Sequence, residues 1–71
     1  MQKYLVLTAN NIDTDICVDG PFDTKKEARG VLRDYFRDFP ARQGEWERDK
    51  DAISYYDGDD LFYGVVKPVD L

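Results

Sequence analysis

Three observations predict an α+β fold in which a four-stranded antiparallel sheet carries one helix on one face, in the order β-β-α-β-β. First, Ala28, Val31, Leu32, Tyr35, Phe36 and Phe39 recur at i, i+3, i+4, i+7, i+8 and i+11, the spacing of a helix with one buried face. Second, the stretches before and after it alternate with period two, as strands do. Third, clusters of Asn, Asp, Gly and Pro punctuate those stretches and read as turns.

The first strand is expected from Lys3 to Ala9. Leu5 and Leu7 point to one side and Tyr4 and Val6 to the other, so both faces are apolar and the strand belongs in the centre of the sheet. Asn10-Asn11-Ile12-Asp13 supplies turn chemistry, because Asn and Asp tolerate left-handed backbone and bond nearby amides. Asp15 to Asp19 forms a short second strand with Ile16 and Val18 inward, and Gly20-Pro21 is expected to break it.

Thr24 is the expected N-cap of the helix. Glu27 follows three residues later and completes a capping box, in which two amides without helical partners are satisfied reciprocally. Such a cap contributes about 1 kcal/mol. Pro40 cannot continue the helix, which should end near Phe39. Gly30 costs up to about 1 kcal/mol against Ala inside the pattern, and is read as close helix-to-sheet packing or plain tolerance.

Residues 41–50 are mostly polar and read as a connection. Ala52 to Tyr56 and Leu61 to Val66 form a hairpin around Asp57-Gly58-Asp59-Asp60, and Pro68 is expected to end the last strand. Loop length sets the register. A two- or four-residue loop puts Ile53 and Tyr55 on the face of Phe62 and Val66. A three-residue loop joins them to Leu61, Tyr63 and Val65, and is the expected pairing because it gathers the more continuous apolar set.

The chain has 71 residues and is expected to form one compact domain, 1–71, with a thin core. Its 42% hydrophobic and 14% aromatic content is too high for a disordered chain. Cys17 is the only cysteine, so no internal disulfide forms and a reducing compartment is expected. No apolar run is long enough for a leader or a membrane span, which makes a cytoplasmic protein the expectation. Ten basic and fifteen acidic residues give a net charge of −5, which argues against general nucleic-acid binding. The charge is uneven: residues 24–48 carry +2, while the segments on either side carry −3 and −4.

At 100° per residue, Lys26, Arg29, Arg33 and Arg37 fall in one stripe beside the apolar face of the helix. Arg29–Arg33 and Arg33–Arg37 are like-charge pairs that each destabilise a helix by a few tenths of a kcal/mol, so a carboxylate, solvent or an anionic partner must offset them. Trp46, between Glu45 and Glu47, either covers the core edge or anchors an interface. Tyr55 and Tyr56 are neighbours in a strand, so one of them must lie on the uncovered sheet face. Asp57, Asp59 and Asp60 read as solvated turn residues; their spacing lacks the further ligands of a calcium loop.

No metal or cofactor site is expected. Histidine is absent, Cys17 reads as a strand residue, and Ser54 has no visible base, so no enzyme activity is expected. The expected function is a small module that binds another macromolecule, foremost a protein, with a homodimer as a further expectation. Its contact residues are expected to be Arg29, Arg33, Arg37, Trp46 and Tyr56. Nucleic-acid binding through the basic helix stripe is the alternative.

Overall fold

The structure is a computed structural model that describes residues 1–12, 16–39 and 44–71. Within these, strands β1 (Gln2–Asn10) and β2 (Cys17–Phe22) precede helix α1 (Lys25–Phe36). Strands β3 (Glu45–Arg48), β4 (Ala52–Tyr56) and β5 (Leu61–Asp70) follow it. All pair antiparallel in one five-stranded sheet of order β2-β1-β5-β4-β3. The helix lies over β1, β5 and β2. The one-helix α+β architecture is therefore as expected; β1 is an interior strand next to the edge strand β2, and β5 holds the middle of the sheet. The expected roles of Pro40 and of Asp13 and Asp15 lie outside the described residues.

The sheet has five strands, not four. The extra one, Glu45-Trp46-Glu47-Arg48, is polar by composition but alternates, and it pairs with β4 through Trp46↔Tyr55 and Arg48↔Ile53. Backbone pairing with an existing edge needs only one inward apolar side chain, and Trp46 supplies it.

Two prolines expected to stop strands do not. Pro68 sits inside β5, opposite Tyr4. The Val66 amide donates to the Asp51 carbonyl at 2.7 Å, so Pro68, two residues on, turns its nitrogen to the same side, beyond the end of β4. No ladder bond is lost there. Pro21 lies on the edge strand β2, where a missing donor is also tolerated. A bulge absorbs the Gly20-Pro21 pair, which is joined by a cis peptide, and Tyr4↔Phe22 pairing resumes after it. Gly20 has φ +117°, and a Cβ there would lie 2.9 Å from the Tyr4 carbonyl oxygen.

The orientation of β2 also differs from expectation. Val18 pairs with Leu7 on the face away from the helix, and Ile16 and Val18 are both exposed. Alternation defines two sides of a strand but not which side meets the helix. Hairpin β4–β5 takes the four-residue loop rather than the three-residue one, with Tyr56↔Leu61 closing it. The Asp57 carboxylate accepts the amides of Asp59 and Asp60 at 3.2 and 2.8 Å and shapes this longer turn. Ile53 and Tyr55 therefore share the helix side with Phe62 and Val66, while Leu61, Tyr63 and Val65 face away.

The core consists of Val6, Ala28, Leu32, Phe36, Ile53, Tyr55 and Val66. Val31, Tyr35 and Phe39 pack against it half-buried, so the helical apolar stripe covers the sheet as its spacing predicts. Thr24 caps the helix: its hydroxyl oxygen accepts the Glu27 amide at 3.2 Å. The reciprocal half differs from a full capping box, because the Glu27 carboxylate accepts from the Thr24 hydroxyl at 3.3 Å. The α-helix ends at Phe36, and a turn carries the chain on to Phe39, whose amide donates to the Phe36 carbonyl.

Close helix-to-sheet approach is provided by Gly64, not Gly30. A Cβ at Gly64 would overlap Leu32 Cδ1 and press on Phe36 Cε2 at 3.1 Å, whereas a Cβ at Gly30 would meet nothing within 4 Å. Gly64→Ala should therefore destabilise the fold by about 1–3 kcal/mol through overpacking. Gly30→Ala should stabilise it by about 0.5–1 kcal/mol through helix propensity. Urea denaturation of the two variants beside the parent chain reads both signs.

Candidate functional site

Helix α1 meets β3 where Phe36 packs edge-on against Trp46, 5.8 Å between ring centres, and a groove of about 520 Å³ runs between the two elements. Successive turns of α1 present Arg29, Arg33 and Arg37 along one wall. Trp46 and Arg48 form the other, because β3 turns both toward the helix side. Leu32, Phe36 and Ile53 floor the groove, and Lys50 closes one end. The groove carries five basic groups against Asp34 and Asp49, whereas the whole chain carries ten against fifteen acidic ones.

The rings behind the groove form a cluster. Phe39 lies 4.7 Å from Phe62, 5.0 Å from Phe36, 5.3 Å from Tyr55 and 6.3 Å from Trp46 between ring centres. Trp46 also packs on Tyr55 at 4.7 Å, and Arg48 lies over its ring with Cζ 4.8 Å from the centre. Trp46 thus covers the core edge and borders the groove at once. Its indole nitrogen is buried and has no hydrogen-bond partner among the described residues. Burial without a partner costs about 1–3 kcal/mol, a local penalty within the aromatic cluster.

The three arginines differ in their freedom. Arg29 donates from Nε and Nη2 to one oxygen of Asp51, at 3.1 and 2.9 Å, and Lys25 approaches the other oxygen at 3.3 Å. A loop carboxylate thus offsets part of the like-charge strain along the stripe. The Arg29 hydrogen bonds, opposed by partial desolvation and aided by Lys25, hold the Asp51 carboxyl below its ordinary value. Among the described residues the Arg37 side chain makes only an exposed 3.7 Å contact with Asp34 one turn back, a geometry that contributes little. Arg33 has no ion pair among the described residues and is exposed.

The structure therefore gathers four of the five expected contact residues, Arg29, Arg33, Arg37 and Trp46, into one groove. Tyr56 stands apart on the opposite sheet face, with its hydroxyl donating to the Gly58 carbonyl at 2.8 Å. Arg48 and Lys50 join the groove unforeseen. The alternation of Glu45-Trp46-Glu47-Arg48 was the available signal, since it puts Arg48 on the side of Trp46. Asp57, Asp59 and Asp60 are engaged in local turn bonding. Among the described residues no group of three carboxylates or thiols converges as metal ligands would. No described helix is long and apolar enough to cross a membrane.

No family model matches this chain, and comparison with curated proteins and with solved structures returns no match.

The depressed Asp51 pKa has a defined sign. A carboxylate held lower in the folded state stabilises the fold above the unfolded pKa of roughly 4, and that contribution fades as pH falls through the folded value. The parent chain should therefore lose stability on the acid side relative to Asp51→Asn, with the difference between the two narrowing below about pH 4. Thermal melts across pH 2.5 to 7 check this, and an Asp51 carboxyl that titrates at the ordinary value by NMR would contradict it.

Proposed function

We propose that this chain is a non-enzymatic protein-binding module that captures an acidic segment of its partner in the groove between α1 and β3. The observation that carries the reading is the concentration of cations over an apolar floor on an otherwise acidic chain. A carboxylate-bearing segment would gain charge-assisted bonds from Arg33 and Arg37, and its apolar side chains would pack on the half-buried rings of Phe39 and Trp46. The remaining negative surface would repel acidic segments elsewhere and direct them to the groove. We further propose a reducing, cytosolic setting, in keeping with the lone exposed thiol of Cys17.

Single-stranded nucleic acid is the competing occupant, because arginines stand beside aromatic rings. Two observations weigh against it. The Trp46 ring is engaged by Arg48 and by the edges and faces of Phe36 and Tyr55, so it offers a nucleobase little free surface. The net charge of −5 also opposes a phosphate backbone.

Trp46 is the only tryptophan, so its emission reports on the groove. A peptide of alternating glutamate and leucine should shift that emission in a saturable titration. Arg33→Glu should weaken binding at least about tenfold while leaving the melting temperature within a few degrees, since an exposed charge contributes little to the fold. Equal affinity of parent and variant would remove the groove from consideration. Binding of oligothymidylate with a steep salt dependence, and none of the peptide, would assign the groove to nucleic acid instead.

A further inference from the structure

Strand β3 ends the sheet, so one of its backbone edges pairs with β4 and the other faces outward. The turn that follows β3 sets the phase of its ladder. The Asp49 amide donates to the Ala52 carbonyl at 2.9 Å, which makes these two a bonded pair. Bonded and non-bonded pairs alternate in an antiparallel ladder, so Glu47↔Ser54 and Glu45↔Tyr56 are bonded as well. The other side of β4 gives the same phase. The Val66 amide donates to the Asp51 carbonyl, which turns Ile53 and Tyr55 toward β5 and leaves Ser54 and Tyr56 for β3. The amides and carbonyls of Trp46 and Arg48 therefore point away from β4, and no described strand pairs with them. The side chains of these same two residues wall the groove.

The two ends of the sheet are finished differently. At β2 a bulge breaks the register and Pro21 lacks a backbone donor, both of which discourage an added strand. The β3 ladder runs from Glu45↔Tyr56 to Arg48↔Ile53 without a shift and contains no proline. A second copy does not suit this edge. Antiparallel pairing of Trp46 with the Arg48 of another copy would set Glu47 directly against Glu47, and like charges placed opposite one another repel.

We propose that a carboxylate-bearing, extended segment of the partner adds antiparallel to β3 as a sixth strand, exchanging backbone hydrogen bonds with Trp46 and Arg48. This rests on the groove reading and specifies how the segment is held. Residues directly opposite in an antiparallel pair share a face. The partner residue opposite Arg48 thus projects on the groove side, where a carboxylate meets an exposed guanidinium. Two residues later in the partner comes the position opposite Trp46, where an apolar side chain packs on the ring. The residue between them projects on the far face beside Glu47, where a cation is matched and a carboxylate is opposed. Read from its N-terminal end, the preferred segment is acidic, then basic or neutral, then apolar.

The probes are a blocked nonapeptide, Thr-Thr-Thr-Glu-Lys-Leu-Thr-Thr-Thr, and its isomer with Leu-Lys-Glu at the centre. On the full chain, read by Trp46 emission, the first should bind with a Kd at least about fivefold below that of the isomer, which has the same composition in the wrong order for an antiparallel partner. Amide exchange by NMR gives an independent reading. Saturation with the first peptide should slow exchange at Trp46 and Arg48 at least about tenfold, and leave Glu45 and Glu47, already bonded to β4, within about twofold. A peptide that binds and is weakened by Arg33→Glu, yet leaves the Trp46 and Arg48 amides exchanging as before, keeps the groove reading and overturns strand addition. Equal affinity of the two isomers overturns it too, as does binding of the glutamate–leucine peptide alone. Failure of all three peptides to bind removes the groove reading along with it.

Discussion

One helix has to serve five strands, and most of the molecule's surface chemistry follows from that mismatch. A helix is about 10 Å across with its side chains, while five paired strands span about 24 Å. Helix α1 spends its apolar stripe on the β2–β1–β5 half, where Ala28, Leu32 and Phe36 are buried against Val6 and Val66. Gly64 allows Leu32 and Phe36 to sit close to the sheet there. The β4–β3 half of the same face is left to be covered by side chains alone.

That cover is aromatic. Phe39, just beyond the helix, touches the rings of Phe36, Trp46, Tyr55 and Phe62, and so ties the helix end to β3, β4 and β5. Large rings bury much area per residue, which suits a chain of 71 residues whose core is thin. They do not fill the space up to the helix wall. The unfilled strip becomes the groove, and its walls carry the arginines that the helical period had already placed side by side.

Electrostatics divides the surface further. Asp51 neutralises the N-terminal end of the arginine stripe by holding Arg29 and Lys25, which leaves Arg33 and Arg37 as the cations presented to an incoming group.

Much of this was legible in the chain itself. The period of Ala28 to Phe39 settles the helix and its buried side. The Thr24 cap sets where the helix starts, and alternation around the Asp57–Asp60 turn yields the hairpin, because these signals are local and act over a few residues. The arginine stripe was readable for the same reason. Other features depended on contacts between distant segments. Glu45–Arg48 becomes a strand only because the edge of β4 is there to pair with it. Pro68 is harmless only because β4 has ended on the side its nitrogen faces. The hairpin register depends on which apolar set meets α1, and Gly64 outranks Gly30 because only one of them lies beneath the helix. Period and turn chemistry specify the elements, whereas the face each strand shows, and the groove left between helix and edge, exist only once those elements compete for one limited apolar cover.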